Sequence, residues 1–402
     1  MSKPILSNPF RPGAGHMPPY LAGREAEKEE FFRLISQQPP ILENMVLTGL
    51  RGVGKTVLFG TFKPEAVSRG WLWVGTDLSE SASVSEENLV TRLLTDLSVV
   101  TSNIMVVKSQ IARIGFKDSH EVVETKLGYD TLVALYQHTP GLVLDKLKSV
   151  LEFVWNCLAP LKIRGLIFAY DEAQNLSDHT TKEQYPLGVL LDAFQSIQKK
   201  GIPFMLALTG LPTLFPKLVD SRTFAERMFR VVTLKRLNEA DSREAILKPI
   251  EKHPLRLSEK SVSLIIKHSG GYPYFIQFIC REVYDAFLPK IAAGEEPSVP
   301  LNEITRKLDS DFFAGRWSRA TDRQRELLLI IAKLENCEEE FTVQEVVELA
   351  QKTMEKPFSS SHVNQMLSSL SDAGLIYKNR HGKYSFAVPL LGQFIRRQMQ
   401  TK

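Results

Sequence analysis

One stretch of the sequence has the residue types and the spacing of a phosphate-binding loop. It matches the pattern G-x-x-x-x-G-K-[ST] in full, with Gly49, Leu50, Arg51, Gly52, Val53, Gly54, Lys55 and Thr56. Glycines let the backbone wrap a phosphate with its N–H groups, Lys55 places a positive charge on the β- and γ-phosphates, and the Thr56 hydroxyl is a ligand for Mg²⁺. An apolar run precedes the loop and a helical pattern follows it, so we expect ATP and Mg²⁺ to bind here.

Two carboxylates follow another apolar run. Residues 166–170 are apolar, and Asp171 and Glu172 come directly after them. The carboxyl ends of parallel strands are where ligands of open α/β sheets bind, and there Asp171 would support Mg²⁺ directly or through water. Glu172 would polarise the attacking water as a general base. Acidic residues are also common at helix N-termini without any catalytic role, but the phosphate loop upstream favours the functional interpretation.

Two further candidates rest on weaker signals. Thr209 ends a third apolar run, where it would contact the γ-phosphate or the water, or simply form the turn after a strand. Arg222, Arg227 and Arg230 cluster before the last apolar run. We predict that Arg227 reaches the γ-phosphate of a neighbouring subunit in a homo-oligomer, since arginine stabilises that charge well. The alternative is a solvated basic helix end.

The elements that would position these residues form an α/β pattern. Short apolar runs without alternation occur at residues 45–48, 71–76, 166–170, 204–209 and 230–234, with helical stretches between them. Such runs predict a parallel five-stranded sheet buried on both faces by helices. We assign residues 1–20 to an extended, proline-rich arm and residues 21–237 to this core. The core has a helical insertion at about 80–160, in which residues 111–129 fit a hairpin.

From residue 238 onwards the pattern becomes helical. Residues 238–305 predict a small helical lid, in which Ser258 is a good N-cap and Pro273 suits the first turn of a helix. Residues 306–402, here called the C-terminal segment, show three helical stretches followed by two short strands around a turn. This order predicts a winged helix-turn-helix.

The C-terminal segment ends in a basic stretch. Residues 373–402 contain six Lys or Arg and no acidic residue. Lys378, Arg380 and Lys383 lie on the predicted wing, where they would contact the phosphates of double-stranded DNA. The third helical stretch, residues 361–373, offers hydrogen-bonding side chains but no Arg or Lys. A C-terminal segment that binds a protein partner is therefore the alternative.

Composition excludes several other classes of protein. The 402 residues are 43% hydrophobic and 24% charged, with a net charge of +4, which is typical of a globular protein and not of a disordered or fibrous one. The three cysteines form no Cys-x-x-Cys pair, so neither a disulfide framework nor a cysteine-based zinc site is expected, and a reducing cytoplasm is the natural location. No apolar run approaches the ~20 residues of a membrane span, and we expect no membrane partner.

These features together resemble the AAA+ ATPases. Residues 21–27, Leu-Ala-Gly-Arg-Glu-Ala-Glu, are similar to the Gly-Arg-Glu box of STAND-type and origin-recognition-like ATPases. The resemblance implies that Gly23 and Arg24 help to hold the adenine. Gly271-Tyr272-Pro273 is similar to the Gly-x-Pro lid motif of these proteins, which implies that Pro273 approaches the base. In origin-recognition relatives a winged helix follows the lid.

One departure from the family pattern bears on activity. Origin-recognition-like relatives usually have a sensor arginine at the start of a lid helix, and residues 271–276 contain none. This favours the STAND branch and slow hydrolysis. We therefore expect an ATPase that acts as a switch and couples its nucleotide state to DNA binding or to assembly on DNA. The alternative is a STAND-like signalling or defence scaffold whose winged helix binds a protein partner.

Overall fold

The computed structural model describes residues 7–37, 43–107, 124–253, 255–292, 299–380 and 382–400. They divide into two compact units. The sheet unit consists of Glu25–Thr48 and Lys55–Thr233. The lid unit consists of the residues up to Arg24, of Gly49–Gly54 and of Leu234–Lys402. Most of the predicted hairpin at residues 111–129 lies outside the described residues.

The predicted parallel sheet is confirmed. Its strands are β1 (Asn44–Gly49), β2 (Trp71–Val74), β5 (Gly165–Tyr170), β6 (Phe204–Gly210) and β7 (Phe229–Leu234). The strand order is β2-β5-β6-β1-β7, and β2, β5, β6 and β1 pair in parallel with their neighbours. Every residue of β1, β5 and β6 is buried, as expected for central strands that helices cover on both faces. All five strands correspond to the apolar runs of the sequence.

Helices of the sheet unit pack with its strands around a hydrophobic core. They are α1 (Glu25–Ser36), α2 (Lys55–Ser68), α3 (Glu86–Thr101), α4 (Tyr129–His138), α5 (Val143–Leu158), α6 (Pro186–Lys199), α7 (Leu214–Ser221) and α8 (Ala225–Met228). Apolar residues of α3, α5 and α6 form one core with β5 and β6. The short strands β3 (Met105–Val107) and β4 (Glu124–Lys126) pair antiparallel beside α3 in the chain. The described part of residues 80–160 is therefore mainly helical.

A buried polar network fixes the strand that leads to Asp171, the predicted magnesium ligand, and Glu172, the predicted general base. The Asp96 carboxylate on α3 accepts hydrogen bonds from the Tyr170 hydroxyl at 2.9 Å and from the Arg92 guanidinium at 2.9 Å. Asp96 is 4% exposed, and burial raises the pKa of the Tyr170 phenol well above its usual value. The network thus ties α3 to the last residue of β5.

Replacing Asp96 with alanine is expected to destabilise the sheet unit by about 2–4 kcal/mol, because a buried hydroxyl and a guanidinium lose their acceptor. Urea unfolding followed by tryptophan fluorescence measures this, since Trp71, Trp73 and Trp155 all lie in the sheet unit. Lys200→Ala is the matched control, because its ion pair with Glu152 is largely exposed. Equal stability of the two variants would contradict the prediction.

The lid unit is helical and ends in a small antiparallel sheet. Its helices are α9 (Glu239–Leu247), α10 (Glu259–Ser269), α11 (Pro273–Ala292), α12 (Leu301–Leu308), α13 (Ala314–Trp317), α14 (Asp322–Lys333), α15 (Val343–Thr353), α16 (Ser360–Asp372) and α17 (Leu391–Gln400), with a π-helical turn at Asp309–Phe313. The strands are β8 (Phe341–Thr342), β9 (Ile376–Arg380) and β10 (Lys383–Phe386), in the order β8-β10-β9. Three helices followed by a hairpin is the predicted order, and β8 is an additional edge strand.

The N-caps explain why these helices begin where they do. Ser258, Thr321, Thr342 and Ser359 each accept a hydrogen bond from a backbone N–H in the first turn of the helix that follows. Pro273 begins α11, where a missing N–H costs nothing. Ser258 and Pro273 were the two start signals predicted for the lid.

One hydrophobic core runs through the whole lid unit. Phe313 is fully buried, and its ring lies 6.0 Å from that of Phe275 on α11 and 5.2 Å from that of Phe394 on α17. Phe10, in the stretch before α1, is 3% exposed and packs 6.5 Å from Tyr284. The lid helices and the C-terminal segment therefore share their apolar interior. Within the described ranges, no helix is both long enough and apolar enough to span a bilayer.

Candidate functional site

The phosphate loop lies between β1 and α2, as the sequence predicts. Gly52 and Gly54 have φ angles of 79° and 93°, a left-handed conformation that side-chain-bearing residues avoid. Successive backbone N–H groups in such a turn form a concavity suited to anions. Lys55 is the first residue of α2 and is only 8% exposed, while Arg51 is exposed. The backbone geometry therefore fits a phosphate.

The Arg24 side chain forms hydrogen bonds that hold the backbone of the phosphate loop. Its guanidinium is 4% exposed and donates to the Val53 carbonyl at 3.0 Å and to the Lys235 carbonyl at 2.8 Å. Gly23 precedes it with a φ of 60°. The resemblance implies that both residues hold the adenine, and this stays a prediction. What the structure adds is a positioning role, in which Arg24 fixes the loop backbone.

The lid helix α11 begins at the phosphate loop. The Tyr274 backbone N–H donates to the Gly52 carbonyl at 3.1 Å. This N–H is one of the unsatisfied donors of the first helical turn, so the bond satisfies it. Pro273, the residue expected near the base, is the neighbour of Tyr274 in the chain.

The two predicted magnesium ligands lie in direct contact. The Thr56 hydroxyl donates to the Asp171 carboxylate, with 2.5 Å between Oγ1 and Oδ2. Asp171 is 6% exposed, and burial raises the pKa of its carboxyl, an effect that the Thr56 hydrogen bond partly offsets. Hydroxyl and carboxylate oxygens are the ligands that Mg²⁺ prefers, so these residues fit the ion. A bound cation would favour the charged carboxylate and counter the cost of its burial.

Asp77 is a third carboxylate at this place, and the sequence analysis did not identify it. It forms a β-bridge with Asp171, and the next residue, Leu78, donates its N–H to the Asp171 carbonyl at 2.9 Å. The negative charge of Asp77 contributes to the raised pKa of Asp171. The available signal was that both apolar runs end in aspartate. Only the strand order, which places β2 beside β5, shows that these two aspartates meet.

Glu172, the predicted general base, is exposed and held by a neighbour. It adopts a φ of 51°, and its N–H donates to the Asp171 carboxylate at 2.7 Å. The Gln174 side-chain amide donates to the Glu172 carboxylate, and its carbonyl oxygen accepts the Leu211 N–H at 3.1 Å. Gln174 thus connects the predicted base to the end of β6, a contact that residue types alone did not reveal.

Thr209 is fully buried at the end of β6. Its hydroxyl has no hydrogen-bond partner among the described residues, and the same holds for Thr48 at the end of β1. The two strands are direct neighbours, with Thr209 paired with Leu47 and Thr48 with Gly210. Buried hydroxyls without partners are uncommon and call for an explanation such as a ligand or a water molecule. The predicted contact of Thr209 with the γ-phosphate or the water stays a prediction.

Of the three clustered arginines, two are engaged within the chain. Arg222 donates to the Asp192 carboxylate from Nε and from an Nη atom at 2.8–3.0 Å, and Arg230 forms an ion pair with Glu30. Arg227 is exposed and makes no ion pair in the part of the chain that the structure describes. It is therefore the arginine left available to another molecule, although its action on a neighbouring subunit is untested.

The predicted DNA-contacting residues lie in the β9–β10 hairpin. Lys378 is exposed on β9, Lys383 is half-buried on β10, and Arg380 is the last residue of β9 opposite Lys383. Helix α16 exposes a row of polar side chains while its apolar residues face the core. The exposed polar residues between its ends are Ser361, Asn364, Gln365, Ser368 and Ser369, and Ser360 and Asp372 are exposed at the first and last positions.

Solved structures with the same fold extend over nearly the whole chain. A Walker-type ATPase of Pyrococcus abyssi aligns with a TM-score of 0.58 and 17% identity, covering 94% of this chain and 96% of the other. The ORC2 protein of Aeropyrum pernix in its ADP form aligns with a TM-score of 0.54 and 13% identity, covering 96% of each. Its ADPNP-ADP complexes give 0.51 and 14%. The expected likeness to AAA+ and origin-recognition ATPases is thus confirmed at the level of the fold.

Sequence comparisons identify only the C-terminal part. Residues 310–395 match a family described as a domain of unknown function, DUF8462. No curated protein shows significant similarity to the chain.

Proposed function

We propose that this protein is an ATP-dependent switch that binds ATP with Mg²⁺, hydrolyses it slowly and couples its nucleotide state to DNA binding. The observation that supports it best is the contact of Thr56 with Asp171, directly after a complete phosphate loop. The pairing of a loop hydroxyl with a strand-end carboxylate is what a magnesium–nucleotide site requires.

Each residue of the proposed site has a distinct task. The loop N–H groups and Lys55 would bind the β- and γ-phosphates, and Thr56 and Asp171 would hold the metal. When bound, Mg²⁺ would neutralise part of the charge on the phosphates. Glu172 would orient the attacking water and accept its proton. The bond from Gln174 restrains the Glu172 carboxylate, which supports slow turnover.

The proposed output is binding of double-stranded DNA by the C-terminal segment. Lys378, Arg380 and Lys383 would contact backbone phosphates, and the polar face of α16 would reach phosphates or base edges. The chain shares its fold with an Aeropyrum pernix ORC2 protein in its ADP form, which supports the nucleotide-binding part of the proposal. A cytoplasmic location, predicted from the cysteine content, is consistent with a role on DNA, and the three cysteines are free thiols.

Fluorescence anisotropy with labelled duplex DNA tests this output. Glu172→Gln protein, which should retain ATP, is expected to bind DNA more tightly with ATP and Mg²⁺ than without, and more weakly as salt rises. Arg380→Glu is expected to weaken binding and to reduce the slope of log K against log salt by about 1, because one phosphate contact is lost. Lys260→Glu, an exposed lysine on α10, is the control that should bind normally.

A protein-binding output is the second candidate. It is favoured by one observation, the lack of any Arg or Lys on α16. In that case the protein would be a STAND-like signalling or defence scaffold. The absence of DNA binding at low salt, in both nucleotide states, would refute the DNA output and favour this candidate. A homo-oligomer in which the exposed Arg227 acts across subunits is compatible with either.

A further inference from the structure

A stretch near the start of the C-terminal segment lies close to the phosphate loop. It begins with the π-helical turn Asp309–Phe313 and continues into α13, Ala314–Trp317. Neither element had a role in the predicted site. π-helical turns within helices occur frequently at functional sites, and this one contains Asp311, Phe312 and Phe313.

A short series of contacts joins this stretch to the loop. The N–H of Tyr274 donates to the Gly52 carbonyl, and its ring packs against that of Phe312 in a tilted arrangement, with 5.1 Å between centroids and 34° between planes. The Arg316 guanidinium lies over the other ring of this pair, with Cζ 4.2 Å from the Phe312 centroid, and donates to the Phe312 carbonyl. A Cβ added to Gly52 would lie 3.2 Å from the Tyr274 Cβ, which shows how tightly the loop and the lid helix pack.

The charge at this place is unbalanced. Arg316 is half-buried and Arg51 on the loop is exposed, and neither makes an ion pair with any described residue. Burial lowers the pKa of Arg316, and the positive charges of Arg51 and Arg319 lower it further. Burial raises the pKa of the nearby Tyr274 phenol, the positive charge of Arg316 lowers it, and the negative charge of Asp311 raises it further. A partly desolvated guanidinium group without an ion-pair partner, as in Arg316, is typical of a site for phosphate.

We propose that Arg316, together with Arg51, binds the phosphate chain of the nucleotide that the loop holds. This rests on the proposed function, since the ligand is the same nucleoside triphosphate. It assigns a binding residue to the family of unknown function, because Arg316 falls within residues 310–395. Arg316 would also couple nucleotide binding to the rest of the C-terminal segment, since Phe313, three residues earlier in the chain, packs on Phe394 of the last helix.

Titration with a fluorescent ATP analogue, mant-ATP, and competition by inorganic tripolyphosphate test the proposal. Arg316→Met keeps an unbranched stem over Phe312 but removes the charge, and Arg316→Lys keeps the charge. We expect Arg316→Met to raise the Kd for both ligands about ten-fold or more, the effect of losing one charge-assisted hydrogen bond, and Arg316→Lys to restore part of the affinity. Arg306→Ala, an exposed arginine on α12, should bind normally.

Amide hydrogen exchange provides a readout that a purely structural role would not change. ATP should protect residues 309–320 in the wild type and leave them unprotected in Arg316→Met. Normal binding by Arg316→Met, alongside lost binding by Lys55→Met, would overturn this inference and leave the proposed function intact. A wild-type protein that binds neither ligand would overturn both.

Discussion

Glu172→Gln protein is expected to bind ATP as the wild type does and to hydrolyse it about 100-fold more slowly or worse, the usual effect of losing a general base. Glutamine has nearly the same shape but cannot accept the proton of the attacking water. The Glu172 side chain is exposed, so its replacement leaves the fold undisturbed. Phosphate release at saturating ATP and mant-ATP titration measure the two quantities separately.

Glu183 offers a matched control for this experiment. It is also exposed, and it shares the left-handed backbone of Glu172, with a φ of 53° against 51°. Glu183→Gln should therefore retain full activity. Wild-type turnover by Glu172→Gln would show that another group accepts the proton, and Asp77 beside Asp171 would be the next candidate.

The second large effect concerns Lys55. Lys55→Met is expected to bind ATP about 10- to 100-fold more weakly, because the ammonium group that supplies a point charge to the β- and γ-phosphates is lost. Methionine fills the space of this buried stem, so folding should be preserved. Lys63→Met, an exposed position on the same helix, is the control for mant-ATP titration. Unchanged affinity in Lys55→Met would place the nucleotide elsewhere.

Local patterns predicted the parts of the fold that local physics determines. Buried strands consist of apolar runs, N-caps favour short polar residues such as Ser and Thr, and a phosphate loop needs its glycines. The strand β1, the helix α2 and the loop between them were therefore all located from the sequence. The contact of Thr56 with Asp171 was also predictable, because the carboxyl ends of all parallel strands in a sheet lie at one edge.

Contacts that depend on strand order or on packing between distant segments were missed. Asp77 meets Asp171 only because β2 lies beside β5, although the two residues are far apart in the chain. No sequence motif surrounds Arg316. Its position near the loop follows from the packing of Phe312 between Arg316 and Tyr274. The missing arginine at residues 271–276 therefore does not mean that the loop lacks a second arginine nearby.

Resemblance to a family has a similar limit. It assigns Arg24 to the adenine, which stays a prediction, and it gave no sign that the guanidinium also donates to the carbonyls of Val53 and Lys235. Both roles need the same residue type, so the sequence could not separate them. Mutation of Arg24 would disturb the loop even if the side chain never touches a base.

The continuous core around Phe313 bears on what can be inherited as a module. The matched family begins at residue 310, inside the π-helical turn, and excludes Phe275 of the lid, against which Phe313 packs. The Asp309–Arg397 ion pair, with 2.9 Å between Oδ2 and Nε, closes the segment just outside both of its ends. A recombination event that moved residues 310–395 alone would thus expose an aromatic surface in its new host. The segment can spread between proteins only with an apolar helix that takes the place of α11, so the unit recognised by sequence is smaller than the unit that folds.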